Sequence, residues 1–275
     1  MHPLSLAFLT VFDVGPVEAV QIAAETGYQK VGFRILPSGS EADYPLLTDD
    51  GLLRSVRRAL RDTGVTAADI EIVRLGTAID WDLFDRFCDR AAALDARHVL
   101  VAGDDPEPER LAASLARFAG MAASRGLTAD LEFMPWTEVK DLAAAREIVT
   151  RAGSPGAGVL IDALHFDRSG STLADVATLD PQHIHYVQFC DGDRPFDPAT
   201  AELIRIARSA RRMPGFGDID LVGLARAIPD GTTVSIEVPD FALARKLDAR
   251  ARAAIARSAT LSILRQAAAD PGDAE

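Results

Sequence analysis

Val159-Leu160-Ile161-Asp162-Ala163-Leu164-His165-Phe166-Asp167-Arg168 is the stretch on which the fold of this chain turns. An apolar run ends in an acid, and a histidine follows three positions later. A short apolar run bounded this way reads as a strand buried on both faces, as in a parallel sheet. The aspartate that closes it needs solvent, a partner or a metal, because an unpaired buried carboxylate is costly. The pattern recurs in Leu131-Glu132-Phe133-Met134 and in Val234-Ser235-Ile236-Glu237, and with an amide in Tyr186-Val187-Gln188-Phe189.

Working outward, strands are expected at 4–10, 29–35, 70–75, 98–102, 127–134, 158–162, 184–190 and 232–238. Helices are expected at 16–26, from 49 or 50 to 61, and at 81–94, 107–124, 139–152 and 173–179. Further helices fall at 199–208, 219–228 and 241–267. Pro16 opens the first helix and Gly27 closes it. Gly64 ends the second, and the polar, Gly-containing loop 37–44 has the character of a pocket rim. Eight strands alternating with helices, at about 34 residues per unit, predict a (β/α)8 TIM barrel of one domain over 1–275. The rival doubly wound sheet would carry a Gly-rich phosphate loop after the first strand, where this chain has Val11-Phe12-Asp13-Val14-Gly15-Pro16.

Composition narrows the function. The chain has 275 residues, 48% of them hydrophobic, and 29 basic against 41 acidic residues leave a net charge of −12. So acidic a surface repels phosphate backbones and argues against a nucleic-acid partner. No apolar run approaches the ~20 residues of a membrane span. Met1 to Val14 lacks the basic and small-residue features of a signal peptide. Cys88 and Cys190 read as reduced thiols, and a cytoplasmic protein is expected. Homo-oligomerisation is left open.

In a barrel the functional groups stand where strands run out into the βα loops. Glu132, Asp162, Gln188 and Glu237 occupy four consecutive strand ends, 30, 26 and 49 residues apart. Alternation along each strand turns all four inward, so three carboxylates and an amide converge at one mouth. A divalent cation relieves their repulsion, and an all-oxygen set favours Mg2+ or Mn2+ over Zn2+. Any one of these acids alone would read as a helix cap or a solvated loop residue; the recurrence carries the argument. His165, three residues beyond Asp162 on the same loop, and Trp136, after Pro135, are candidate substrate contacts. Arg211 and Arg212 precede the Pro214-Gly215-Phe216-Gly217 turn, which could hold a guanidinium over a substrate oxygen. His2 and His98 read as structural, and His183 and His185 as facing outward.

The segments Glu-Phe-Met-Pro-Trp (132–136), Ile-Asp-Ala-Leu-His (161–165), Tyr-Val-Gln-Phe-Cys-Asp (186–191), Arg-Arg-Met-Pro-Gly-Phe-Gly-Asp-Ile-Asp-Leu (211–221) and Ser-Ile-Glu-Val-Pro (235–239) together resemble the sugar phosphate isomerase/epimerase family. That family has the xylose-isomerase-like barrel and includes ketose 3-epimerases, inosose enzymes and 3-dehydroshikimate dehydratases. The resemblance covers the fifth to eighth strands well and the first half in layout. It implies metal ligation by Glu132, Asp162, Gln188 and Glu237, with Glu132 and Glu237 as the acid/base pair. It also implies that His165 and Arg211 bind substrate oxygens. Ketose epimerases of the family usually have a histidine where Gln188 stands, and glutamine occurs among the dehydratase-like members.

The expected activity is a metal-dependent isomerase or epimerase of carbohydrate metabolism. Its substrate would be a small polyhydroxylated hydroxy-ketone, whether a sugar, a sugar phosphate or a cyclitol. The alternative is a dehydratase of the 3-dehydroshikimate type, since loss of a β-hydroxyl can follow the same proton abstraction. A three-zinc nuclease of the same barrel class would need many histidines, and this chain has five, scattered. A non-catalytic binding barrel would have no use for the acids.

Overall fold

The computed structural model describes residues 2–39 and 41–269. β1 (Leu4–Leu6) leads to α1 (Pro16–Thr26), and β2 (Lys30–Arg34) to α2 (Asp50–Thr63). β3 (Thr66–Leu75), β4 (His98–Gly103) and β5 (Thr128–Glu132) are followed by α3 (Trp81–Ala93), α4 (Pro108–Ala123) and α5 (Leu142–Ala152). β6 (Ala157–Asp162) runs into α6 (Ala163–Arg168) and α7 (Leu173–Val176). β7 (Tyr186–Phe189) precedes α8 (Thr200–Ser209) and α9 (Leu221–Ala227). β8 (Thr233–Ile236) precedes α10 (Phe241–Ala244) and α11 (Ala249–Ala268). The strands pair in sequence order, and β8 pairs in parallel with β1, so the sheet closes as the expected (β/α)8 barrel.

Period-two alternation sorts each strand between two apolar layers. Val99, Val101, Leu131, Val159 and Ile161 face the helices and join the large core between barrel and helical ring. Leu100, Ala102, Met134, Leu160 and Tyr186 face inward and, with Ile72, form a separate cluster inside the barrel. That cluster fills the axis, so Glu132, Asp162, Gln188 and Glu237 stand on a packed floor and not over a pore. Burying a leucine such as Leu160 contributes about 1.5–3 kcal/mol.

Helix starts are capped by acids. Asp49, Asp80, Asp141 and Asp248 accept hydrogen bonds from first-turn amides of α2, α3, α5 and α11, a role typically worth about 1 kcal/mol each. Gly27 and Gly64 close α1 and α2 in the left-handed region, at φ 84° and 75°. Among the described residues no helix is long and apolar enough to cross a membrane.

Several expectations need correction. β3 begins at Thr66, not Ile70, because its first half carries Ala67, Ala68 and Asp69 and lacks an apolar run. The closing helix is broken: Asp240 caps α10, and Asp248 starts α11 afresh. The residues after Asp162 are not loop but helix, with Asp162 itself as the cap of α6. The sixth expected helix shortens to Leu173–Val176.

His185 does not face outward. Its Nδ1 lies 2.5 Å from Asp130 Oδ1, and its ring stacks on His98 at 6.1 Å between centroids. Gly158 makes room for this pair: a Cβ there would stand 2.5 Å from both Asp130 Oδ1 and His185 Nδ1. A buried acid inside the barrel drew the histidine in.

Candidate active site

Asp162 is fully buried, and its Oδ1 accepts the His165 amide at 3.0 Å. The cap turns α6 so that His165 folds back beside the carboxylates. Its Nε2 lies 3.7 Å from Glu132 Oε1 and 3.9 Å from Asp162 Oδ1. One ligand atom from each of Glu132, Asp162 and His165 lies within 4.8 Å of the others. Trp136 meets the His165 ring edge-on at 4.9 Å and lines the same cavity. Burial pushes the His165 pKa down to about 4, so the imidazole is neutral near pH 7.

Gln188 and Glu237 meet on the neighbouring strands. Gln188 Nε2 donates to Glu237 Oε1 at 3.1 Å, in a register that sets Gln188 against Ser235. Arg211 spans the two halves of the site. One guanidinium nitrogen donates to Asp162 Oδ2, and the other lies 2.9 Å from Glu237 Oε2. Its Nε donates to Ala207 O at 2.8 Å, at the end of α8. Arg212, in contrast, pairs with Asp193 in solvent.

Sequence reasoning passed over the residue that aims Arg211. The buried Asp191 carboxylate accepts from the amides of Gly192, Gly215 and Ile219 at 2.8, 2.9 and 3.0 Å. Its backbone pairs with Arg212, and a Cβ on Gly217 would stand 2.5 Å from its Oδ1. The Pro214-Gly215 turn is thus built on Asp191. The only signal was an acid ending the run Gln188-Phe189-Cys190-Asp191. Also missed was Arg34, at the end of β2, which reaches Glu71 at 2.6 Å and Glu41 at 3.0 Å. Tyr44 and Ser38 join Glu41 in lining the cavity, as expected of the 37–44 loop.

The carboxyls divide by environment. Burial, reinforced by Asp162 and Glu237, holds the Glu132 pKa well above the usual range. Burial raises Glu237 to about 8 despite the Arg211 guanidinium. Burial would raise Asp162 as well, but the Arg211 guanidinium and the His165 amide hold it low. Fully ionised, Glu132, Asp162 and Glu237 exceed the charge of Arg211 by two, which matches a divalent cation. Among the described residues, Gln188 Oε1 and His165 Nδ1 are buried without a hydrogen-bond partner, so each has a lone pair or proton still to satisfy. This donor set fits a metal ion. The imidazole beside Glu132 and Asp162 admits zinc as well as Mg2+ and Mn2+.

Above the carboxylates opens a cavity of about 490 Å3. Phe8, Phe12, Met134 and Phe241 are among its apolar walls, and the buried Arg34, the half-buried Arg74 and the exposed Arg208 also line it.

A closed parallel barrel with this cluster at the carboxyl ends of its strands defines a class, and sequence comparison agrees. A family model described as "Xylose isomerase-like TIM barrel" matches residues 20–261, and the chain belongs to that family. A curated 3-dehydroshikimate dehydratase of Pseudomonas aeruginosa is 30% identical over 203 residues, covering 68% of this chain and 31% of that protein. The chain therefore spans about a third of that relative's length. Among solved structures, the IolI protein with a bound zinc atom superposes with a TM-score of 0.80 at 19% identity, covering 96% of this chain and 98% of that one. L-ribulose 3-epimerase superposes with a TM-score of 0.69 at 19% identity, over 98% and 96% of the two chains. The probable 3-DHS dehydratase AsbF from Bacillus anthracis gives 0.71 at 14% identity, over 92% and 97%. At these identities the structural likenesses establish the fold.

Proposed function

We propose that the chain is a divalent-metal-dependent isomerase or epimerase of a polyhydroxylated hydroxy-ketone, with Glu132 and Glu237 moving the proton. The observation that supports this reading is the pair of buried carboxyls, Glu132 and Glu237, lining one cavity beside Asp162 and Arg211. Glu132, Asp162, Gln188 and Glu237 would hold the cation, through the carboxylate oxygens and the unpartnered Gln188 Oε1. A bound divalent cation would polarise a ketone and its neighbouring hydroxyl and so acidify the C–H between them.

The chain's own residues supply the rest. One of Glu132 and Glu237 takes the proton from one face and the other returns it from the opposite face, each with a pKa raised by burial. Arg211 and His165 donate to substrate oxygens that gain charge as the proton leaves. Trp136 and the apolar walls exclude water from the reacting face. Return of the proton to the opposite face of the same carbon gives an epimer, and return to the neighbouring carbon an isomer.

A second reading, a 3-dehydroshikimate-type dehydratase, is favoured by the curated relative that carries that name and by glutamine at position 188. Here the same proton abstraction is followed by loss of a β-hydroxyl as water. One experiment addresses both. The protein is incubated in D2O with Mn2+ or Mg2+ and either L-ribulose or 3-dehydroshikimate, and the products are followed by NMR. Carbon-bound deuterium in a ketose supports the first reading; water loss from 3-dehydroshikimate selects the second. Glu132→Gln and Glu237→Gln should each slow the reaction by roughly 10²- to 10⁴-fold. Wild-type rates in both variants would refute the acid/base assignment.

A further inference from the structure

A second cavity, of about 470 Å3, opens at the other end of the barrel, lined by Lys30, Arg57, Arg61, Thr66, Asp95 and Arg97 among others. Lys30 begins β2, Thr66 begins β3, and Arg97 immediately precedes β4, so this face is opposite the carboxylate mouth. Four cations face one acid here, in a chain whose net charge is −12. Several arginines elsewhere, among them Arg34, Arg74, Arg125, Arg151 and Arg252, are paired with acids. Among the described residues, none of the side chains of Lys30, Arg57, Arg61 and Arg97 forms an ion pair or a hydrogen bond.

The grouping is unfavourable as it stands. Arg57 and Arg61 are four residues apart on α2, so the like charges share one face of the helix. Lys30 is half-buried, and its burial and the nearby Arg97 disfavour its ammonium form more than the nearby Asp69 favours it. An anion seated among the four would relieve both strains.

We propose that this cavity binds a compact phosphate-bearing small molecule. Three guanidinium forks suit the tetrahedral oxygens of a phosphate, which accept paired N–H donors. The volume is that of a small-molecule site and exceeds what a single phosphate group fills. An extended nucleic-acid strand would have to continue over the acidic remainder of the surface, whereas a compact anion stays within the basic cavity.

The test uses the full-length, metal-free protein and isothermal calorimetry with pyrophosphate, citrate and a single-stranded oligonucleotide as probes. Pyrophosphate should bind one per chain, more tightly than citrate. The double variant Arg57→Ala/Arg97→Ala should weaken it by roughly 10- to 100-fold, and Arg57→Glu should do the same. Arg208→Ala, at the opposite rim, should leave it unchanged. Melting temperatures close to wild type will show that these exposed positions leave the fold intact. Absence of pyrophosphate binding, or undiminished binding in both variants, would overturn the site. Tighter binding of citrate or of the oligonucleotide, lost in the same variants, would overturn the phosphate-ester assignment.

Discussion

Arg211 and Asp162, 49 residues apart, form a buried ion pair at the floor of the barrel mouth, and the same guanidinium reaches Glu237 on the far side. A protein cation therefore stands against two of the carboxylates read as metal ligands. Removing Arg211 leaves buried negative charge uncompensated, at a cost of about 3–5 kcal/mol. Arg211→Ala should melt well below wild type without metal and recover much of the loss in Mn2+. Asp162→Ala should fold but no longer bind the cation. Calorimetric metal titration checks both, and unchanged metal affinity in Asp162→Ala would remove Asp162 from the ligand set.

His165 is read as a substrate contact, and its closeness to Glu132 and Asp162 makes the alternative concrete. His165→Ala should lower turnover roughly 30- to 1000-fold through loss of one donor to developing charge. Metal stoichiometry by elemental analysis should stay the same. Loss of the ion in this variant would make His165 a ligand instead.

Glu237 couples stability to pH. Its folded pKa of about 8 exceeds the ordinary 4.5. Between these values the folded chain holds a proton that the unfolded chain has released, so stability falls as pH rises across the window. Below the ordinary value the contribution is fully present; above the folded value it is gone. A divalent cation must displace that proton, so its stabilising effect should grow with pH. Thermal melts with EDTA and with Mn2+, from about pH 5 to about pH 9, read both slopes. A metal-free protein that grows more stable towards alkaline pH would contradict the assignment.

Gly158 holds the barrel interior open for Asp130 and His185. Gly158→Ala should destabilise the fold by about 1–3 kcal/mol through overpacking against that pair. Denaturant unfolding measures it. A variant as stable as wild type would show that the pair can shift without cost.

The alternation of side chains along a strand is a local property, so the sequence alone decided which residues of 131–134, 159–162, 186–189 and 234–237 turn inward. It also decided that the chain is a barrel, because eight apolar runs alternating with helical stretches have few other ways to bury both faces. Local signals likewise picked out the glycines that close α1 and α2. What the sequence could not decide is which inward groups pair across the axis. Arg34 with Glu71, Arg211 with Asp162, Arg211 with Glu237, and His185 with Asp130 are 37, 49, 26 and 55 residues apart and meet only once the sheet closes. The turn of α6 that brings His165 back to Glu132 depends on one capping bond from Asp162. The cradle of Asp191 under the Pro214-Gly215 turn depends on amides from both sides of an excursion that returns to the barrel. Such pairings are chosen by burial, since a charge removed from water must find whichever partner the closed fold sets beside it.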